Sequence, residues 1–219
     1  MARDFERGSS EYIHTSIGAL DHTGSGGLTM AVIVRPESVV AQTFLALSNS
    51  TPALRQRFGG DGTGALTCQA NGDITVGSNV VNVVANQWSI FVVRKAGGVS
   101  APVFSTCVMS TGAWTHNTSP SAPGNSGAPG GTGIVQIGRN NATNHFDGRM
   151  ALAAAWKREL TQAEVESLAG GFRAWLSQRP DGLWPLNQGA VATTIVDWTG
   201  NGANQTAISG TTISADHPL

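Results

Sequence analysis

The residues that could do chemistry in this chain are few and scattered. Its fourteen acidic residues give two close pairs, Asp4/Glu6 and Glu164/Glu166. Cutting a glycosidic bond needs two carboxyl groups facing one cleft, one to attack or activate water and one to protonate the leaving oxygen. The long apolar runs LTMAVIVR, QWSIFVVRK and MALAAAWK hold no acid. Glu164 and Glu166 read instead as a helix cap and a solvated helix face. No Gly-x-Ser-x-Gly elbow, phosphate loop or His-Glu-x-x-His is present. The five histidines, His14, His22, His116, His145 and His217, stand alone in sequence. No catalytic residue is assigned, and the expectation is that the chain is not an enzyme.

Binding is the better-supplied chemistry. A sugar site needs an aromatic platform with amide or carboxylate partners on loops. Trp114 with His116, and the loop residues Asn140, Asn141, Asn144 and His145, have those types. The competing reading is structural: Asn is common in turns for backbone reasons, and Trp114 suits a core. No Cys/His cluster has zinc spacing, so no metal ligand is assigned. Calcium wants several hard oxygens together. Asp21, Asp61, Asp73, Asp147, Asn140 and Asn141 qualify by type but form no dense motif, so no cofactor is expected, with calcium left open.

Short strands must position these residues. LTMAVIVR, from Leu28 to Arg35, is apolar throughout, as a central strand covered on both faces would be. Gln87–Lys95 is a second such strand, with Ala101–Met109 as its neighbour. Further strands are expected at Glu11–Ile17, Gln42–Ser48, Ala53–Phe58, Gly64–Ala70 and Asp73–Val76. Gly59-Gly60-Asp61-Gly62 reads as a turn, and Asn71-Gly72 as a hairpin, since both central residues of a type I′ turn need positive φ. The segment 117–133, NTSPSAPGNSGAPGGTG, cannot bury apolar area and reads as a flexible loop. The runs Ile134–Gly138 and Phe146–Trp156 read as two strands joined by a hairpin-like loop. Thr161 with Glu164 forms a capping box that starts a short helix, stopped by Gly170-Gly171. Phe172, Trp175 and Leu176 share one face of a second helical turn.

Bulk properties set the class. Charged residues make up 12% of the chain, with only two lysines, and the net charge is −1. Nucleic-acid binders usually carry a basic face, so no nucleic-acid partner is expected. No apolar stretch reaches membrane-spanning length, and Met1–Glu6 offers no apolar signal segment. Cys68 and Cys107 are expected to be buried, reduced thiols. So little charge suits a surface covered by neighbouring subunits.

Several motifs in order carry a family resemblance. They are Ile137-Gly138, Phe146-Asp147-Gly148-Arg149-Met150, Arg158-Glu159-Leu160-Thr161-Gln162-Ala163-Glu164, and the early stretch Phe5-Glu6-Arg7-Gly8-Ser9-Ser10-Glu11-Tyr12-Ile13. Together they resemble the laminin-G-like, concanavalin A-like lectin/glucanase superfamily. The resemblance implies an all-β fold, an antiparallel jelly-roll β-sandwich with one or two short C-terminal helices, here as a single domain over residues 1–219. Glucanases of that fold use a Glu-x-Asp-x-x-Glu strand, which this chain lacks. Asp197-Trp198-Thr199-Gly200-Asn201-Gly202 resembles a turn that in most relatives precedes the Phe5–Ile13 strand, so the order looks circularly permuted. The ending Trp184-Pro185-Leu186, Asp197–Gly202 and Asp216-His217-Pro218 resembles bacteriophage capsid-decoration or tail-associated proteins. That implies a virion protein assembled in the host cytoplasm. Its partners would be other virion proteins, copies of itself and host surface glycans. A free lectin-like module is the alternative, and a glycoside hydrolase a distant third.

Overall fold

The computed structural model describes residues 2–9, 11–16, 27–48, 55–70, 74–97, 100–119, 134–139, 144–187, 194–202, 204–208 and 212–214. In chain order the strands begin with β1 (Ala2–Phe5), β2 (Tyr12–Ser16), β3 (Leu28–Pro36), β4 (Ala41–Ser48), β5 (Arg55–Asp61) and β6 (Ala65–Ala70). They continue with β7 (Ile74–Asn82), β8 (Ser89–Lys95), β9 (Val103–Val108), β10 (Ala113–Thr118), β11 (Ile134–Ile137) and β12 (Gly148–Trp156). Helices α1 (Gln162–Ser167) and α2 (Phe172–Ser177) follow, then β13 (Gly182–Pro185), β14 (Thr194–Ile195), β15 (Gln205–Ile208) and β16 (Thr212–Ser214). Two antiparallel sheets face each other. One runs β10-β9-β8-β3-β12-β1-β16, with β13 on the second half of β12; the other runs β14-β15-β2-β11-β4-β5-β6-β7. This is the expected β-sandwich jelly roll.

Period-two alternation divides the apolar residues of the first sheet between two cores. Met30, Val32, Val34, Phe91 and Val93 point between the sheets and meet Phe44, Phe58, Val135 and Ile137 of the second. Ala31, Ile33, Ile90, Val92, Leu152 and Trp156 point the other way and are covered by Leu160, Val165, Leu168 and Trp175 from the helical segment. Both faces of β3 are therefore buried, as its unbroken apolar run demands. The segment entering α1 is tied down by Thr29, whose hydroxyl donates to the Arg158 carbonyl and accepts from the Leu160 amide, both at 2.9 Å. Thr161 then caps α1 with Glu164 reaching back, so the expected capping box is present.

Cys68 sits in the core between the sheets and Cys107 in the outer core, both free and buried. Burial pushes the Cys68 thiol up to about 12 and raises Cys107 as well. The first and last strands meet, with β1 pairing β16 so that Ala2 lies opposite Ser214, and β2 pairing β15. That adjacency is the condition a permuted order must meet.

Three sequence readings need correction. The runs 134–138 and 146–156 do not form a hairpin: β11 lies between β2 and β4 in one sheet, and β12 beside β3 in the other. Two adjacent apolar runs look alike whether they pair or cross between sheets. Gly59, Gly60 and Asp61 belong to β5 rather than to a turn. A Cβ on Gly59 would lie 2.0 Å from the Gln42 carbonyl oxygen, so this glycine serves close strand approach. The turn is one step later, where the Asp61 carboxylate accepts from the Thr63 and Ala65 amides. Finally, Asn117 and Thr118 are not loop but the end of β10, opposite Phe104 and Val103. The Asn71-Gly72 turn lies outside the described residues; its flanking strands pair, with Ala70 opposite Ile74.

Candidate functional site

The edge of the first sheet, on its helix-covered face, holds Trp114 and His116, two of the six residues the sequence offers for sugar binding. Trp114 and His116 alternate onto the same face of β10, opposite Cys107 and Ser105 of β9. Their rings stack, with centroids 5.8 Å apart and planes at 6°. The imidazole is held at both nitrogens: Nδ1 is 2.8 Å from Ser105 Oγ and Nε2 is 3.1 Å from Glu166 Oε1. A carboxylate only accepts, so in the neutral ring Nε2 carries the proton and Ser105 donates to Nδ1. Gln162 donates to the same Glu166 oxygen at 2.8 Å. The Gln162 bond first, and the His116 bond after it, hold the Glu166 carboxyl below its ordinary range. Glu166 therefore latches α1 to the edge strand, a role beyond the solvated face expected of it.

A serine, a histidine and a carboxylate in one hydrogen-bonded line invite comparison with a hydrolytic triad. Ser105, however, is fully buried. No acyl carbon could reach its hydroxyl, so this line positions aromatic rings instead.

One step along the same face, β8 is preceded by Trp88, half-buried against the outer core together with Met109 and Trp114. The Met109 amide donates to the Trp88 carbonyl at 3.1 Å, extending the β8–β9 ladder. Asn86, Gln87, Trp88, Met109 and Ser110 line a shallow cleft of about 360 Å³. Its walls pair an indole and a thioether with two amides and a hydroxyl. In the sequence Trp88 stands near the start of the expected Gln87–Lys95 strand, with nothing local to mark it as part of a site. The missing signal was register, which alone puts Trp88, Met109 and Trp114 on one face.

The second group of candidates stands elsewhere. Asn140 and Asn141 lie outside the described residues. Asn144 adopts a left-handed backbone, φ 55°, and its carbonyl accepts from the Thr43 amide at 2.8 Å. His145 is buried. Both precede β12, which lies four strand steps from β10, and Asn144 is tied to β4 of the other sheet. The structure does not bring them to Trp114 and His116.

Two of the oxygens named for calcium are engaged within the fold. Asp61 is spent on its turn, and Asp147 Oδ2 accepts from Ser38 Oγ at 2.9 Å. Asp21 and Asp73 lie outside the described residues. Among the described residues no three His, Cys, Asp or Glu side chains gather as a metal group, nor is any helix long and apolar enough to cross a membrane.

The chain belongs to the concanavalin A-like lectin/glucanases superfamily, whose laminin-G-type model matches residues 7–166. No curated protein matches the sequence significantly. Among solved structures, it is similar to a heptameric SAP-like pentraxin from Limulus polyphemus, at 14% identity and TM-score 0.62, over 98% of this chain and 95% of that one. It is also similar to the CBM40 of Ruminococcus gnavus IT-sialidase, solved with α2,3-sialyllactose, at 11% identity and TM-score 0.53, over 72% and 92%. A third likeness is to tailspike protein 2 of the Escherichia coli O157:H7 bacteriophage CAB120, at 14% identity and TM-score 0.51, over 77% of this chain but 25% of the tailspike.

Proposed function

We propose that this chain is a non-catalytic, glycan-binding adhesion module of a bacteriophage particle, placed on the capsid or tail and held there among copies of itself and other virion proteins. The observation that carries the glycan reading is the cleft at Trp88. A sugar ring has an apolar C–H face and a polar rim, and here an indole lies beside two amides and a hydroxyl. The parallel Trp114–His116 pair extends the aromatic surface past the cleft. No catalytic group is invoked: Ser105 is buried, and the Glu164 and Glu166 carboxylates are engaged in the cap and the latch. Binding in this mode uses no metal.

The particle reading draws on the phage-like ending, on a chain only 12% charged, and on a fold shared with part of a phage tailspike. Host surface glycans are the natural ligands for such a module. A glycan array with purified protein is the test of binding, followed by Trp88→Ala and Trp114→Ala. Retention of neutral glycans that drops at least tenfold in both variants supports the cleft; no retention refutes it. Cryo-electron microscopy of the source particle tests the location. Repeated copies on a shell or tail support it, and absence leaves a free lectin.

A further inference from the structure

A second cleft lies at the far side of the helical layer. Leu176, Arg179, Pro180, Trp198, Thr199 and Asn201 line about 320 Å³. Trp198 is 53% exposed, more than any other large apolar side chain among the described residues. Yet its position is fixed. The Trp198 amide donates to the Leu183 carbonyl at 2.9 Å. The adjacent Asp197, almost fully buried, accepts from the Leu183 and Thr199 amides at 3.0 and 3.1 Å and from the Thr199 hydroxyl at 2.5 Å. Phe172 meets the indole edge-on, with centroids 5.1 Å apart. An exposed aromatic ring held this firmly loses little freedom on binding, which favours a ligand platform.

The polar wall is equally specific. Arg179 follows the end of α2 in a left-handed backbone, φ 50°, the helix-ending conformation usually left to glycine. The chain thus places a long cationic side chain where the backbone favours none. The Arg179 amide bonds the Leu176 carbonyl, and its guanidinium has no partner among the described residues. Asn201 Nδ2 is committed to the Asp181 carbonyl at 2.9 Å, so its side-chain oxygen is the group left to accept from a hydroxyl.

We propose that this cleft is a separate binding site for a saccharide bearing a carboxylate. The indole would take the apolar face of the ring, Arg179 would donate a bidentate pair to the carboxylate, and Asn201 would accept from a ring hydroxyl. A nucleic acid is the poorer occupant, because it needs a run of cations and this cleft supplies one. The proposal does not rest on glycan binding at Trp88.

Calorimetric titration with trigalacturonate and 3′-sialyllactose, against maltotriose and lactose as uncharged counterparts, is the test. At least one acidic sugar should bind ten times more tightly than its counterpart. Trp198→Ala should lose that binding at least tenfold, and Arg179→Gln should erase the preference for acid while unfolding melts stay unchanged. Trp88→Ala should leave acidic binding intact. Three results would overturn the proposal. No acidic sugar binds; acidic binding survives Trp198→Ala; or Trp198→Ala instead dissociates an oligomer in sedimentation, which would make this face a subunit interface.

Discussion

Trp114 and His116 lie parallel with their ring centroids 5.8 Å apart, and the imidazole of that pair bridges Ser105 on the neighbouring strand to Glu166 on α1. Edge strand and helix are thereby locked around the aromatic surface. His116→Ala would leave the buried Ser105 hydroxyl without its acceptor. We expect a loss of about 1–2 kcal/mol in urea unfolding, together with weaker glycan binding as Trp114 loses its stacking partner. Unchanged stability would mean that the bridge is ornamental.

Glu164 gives stability a defined pH dependence. The Arg158 guanidinium, then the Thr161 amide, hold its carboxyl down to about 2. A carboxyl depressed in the folded state stabilises above its unfolded value, and that stabilisation is lost as pH falls from about 4.5 toward 2. The pair is partly exposed, so after solvent screening the effect is roughly 1 kcal/mol. Glu164→Gln should therefore cost about that much at pH 7 and nothing near pH 2. An equal cost at both values would assign the loss to the cap geometry alone.

Gly148 begins β12 with φ 132°, and a Cβ there would lie 2.4 Å from the Arg35 carbonyl oxygen and 2.8 Å from the Glu37 amide nitrogen. Both neighbours are backbone and cannot step aside. Gly148→Ala should cost more than ~2 kcal/mol, since strain and clash add. A melting temperature within a degree of the parent would contradict the β3–β12 packing.

The glycine of Phe146-Asp147-Gly148 shows how far the sequence could be read. Motifs, apolar runs and the Thr161 capping box point to the sandwich and to its longer apolar strands, because turns and caps write themselves in local residues. What stayed hidden depended on partners far along the chain. Ile134–Ile137 and Gly148–Trp156 read as a hairpin, since nothing in an apolar run states which sheet it joins. Residues 113–118 went unread as a strand because they alternate between exposed and half-buried positions at a sheet edge. The pairing of Trp114 with His116 was visible at a spacing of two. The contribution of Trp88, from another strand, was not. Trp198 was read as part of a turn, and its exposure is a property of the assembled fold.

Arg179 offers a trade between stability and binding. Relaxing its left-handed backbone with Arg179→Gly should stabilise the protein by ~0.5–1 kcal/mol, measured by thermal unfolding. The same variant should lose any preference for acidic sugars. A destabilised variant would show that the arginine side chain carries a structural contact.

The central claim, that the face bearing Trp88 and Trp114 binds glycan, is tested most directly by following the six tryptophan indole N–H signals by NMR during titration with a neutral glycan selected on the array. Trp156, Trp175 and Trp184 are fully buried and should stay still, while the signals of Trp88 and Trp114 should move together and saturate. Movement confined to Trp198, or no movement as ligand saturates, would contradict it.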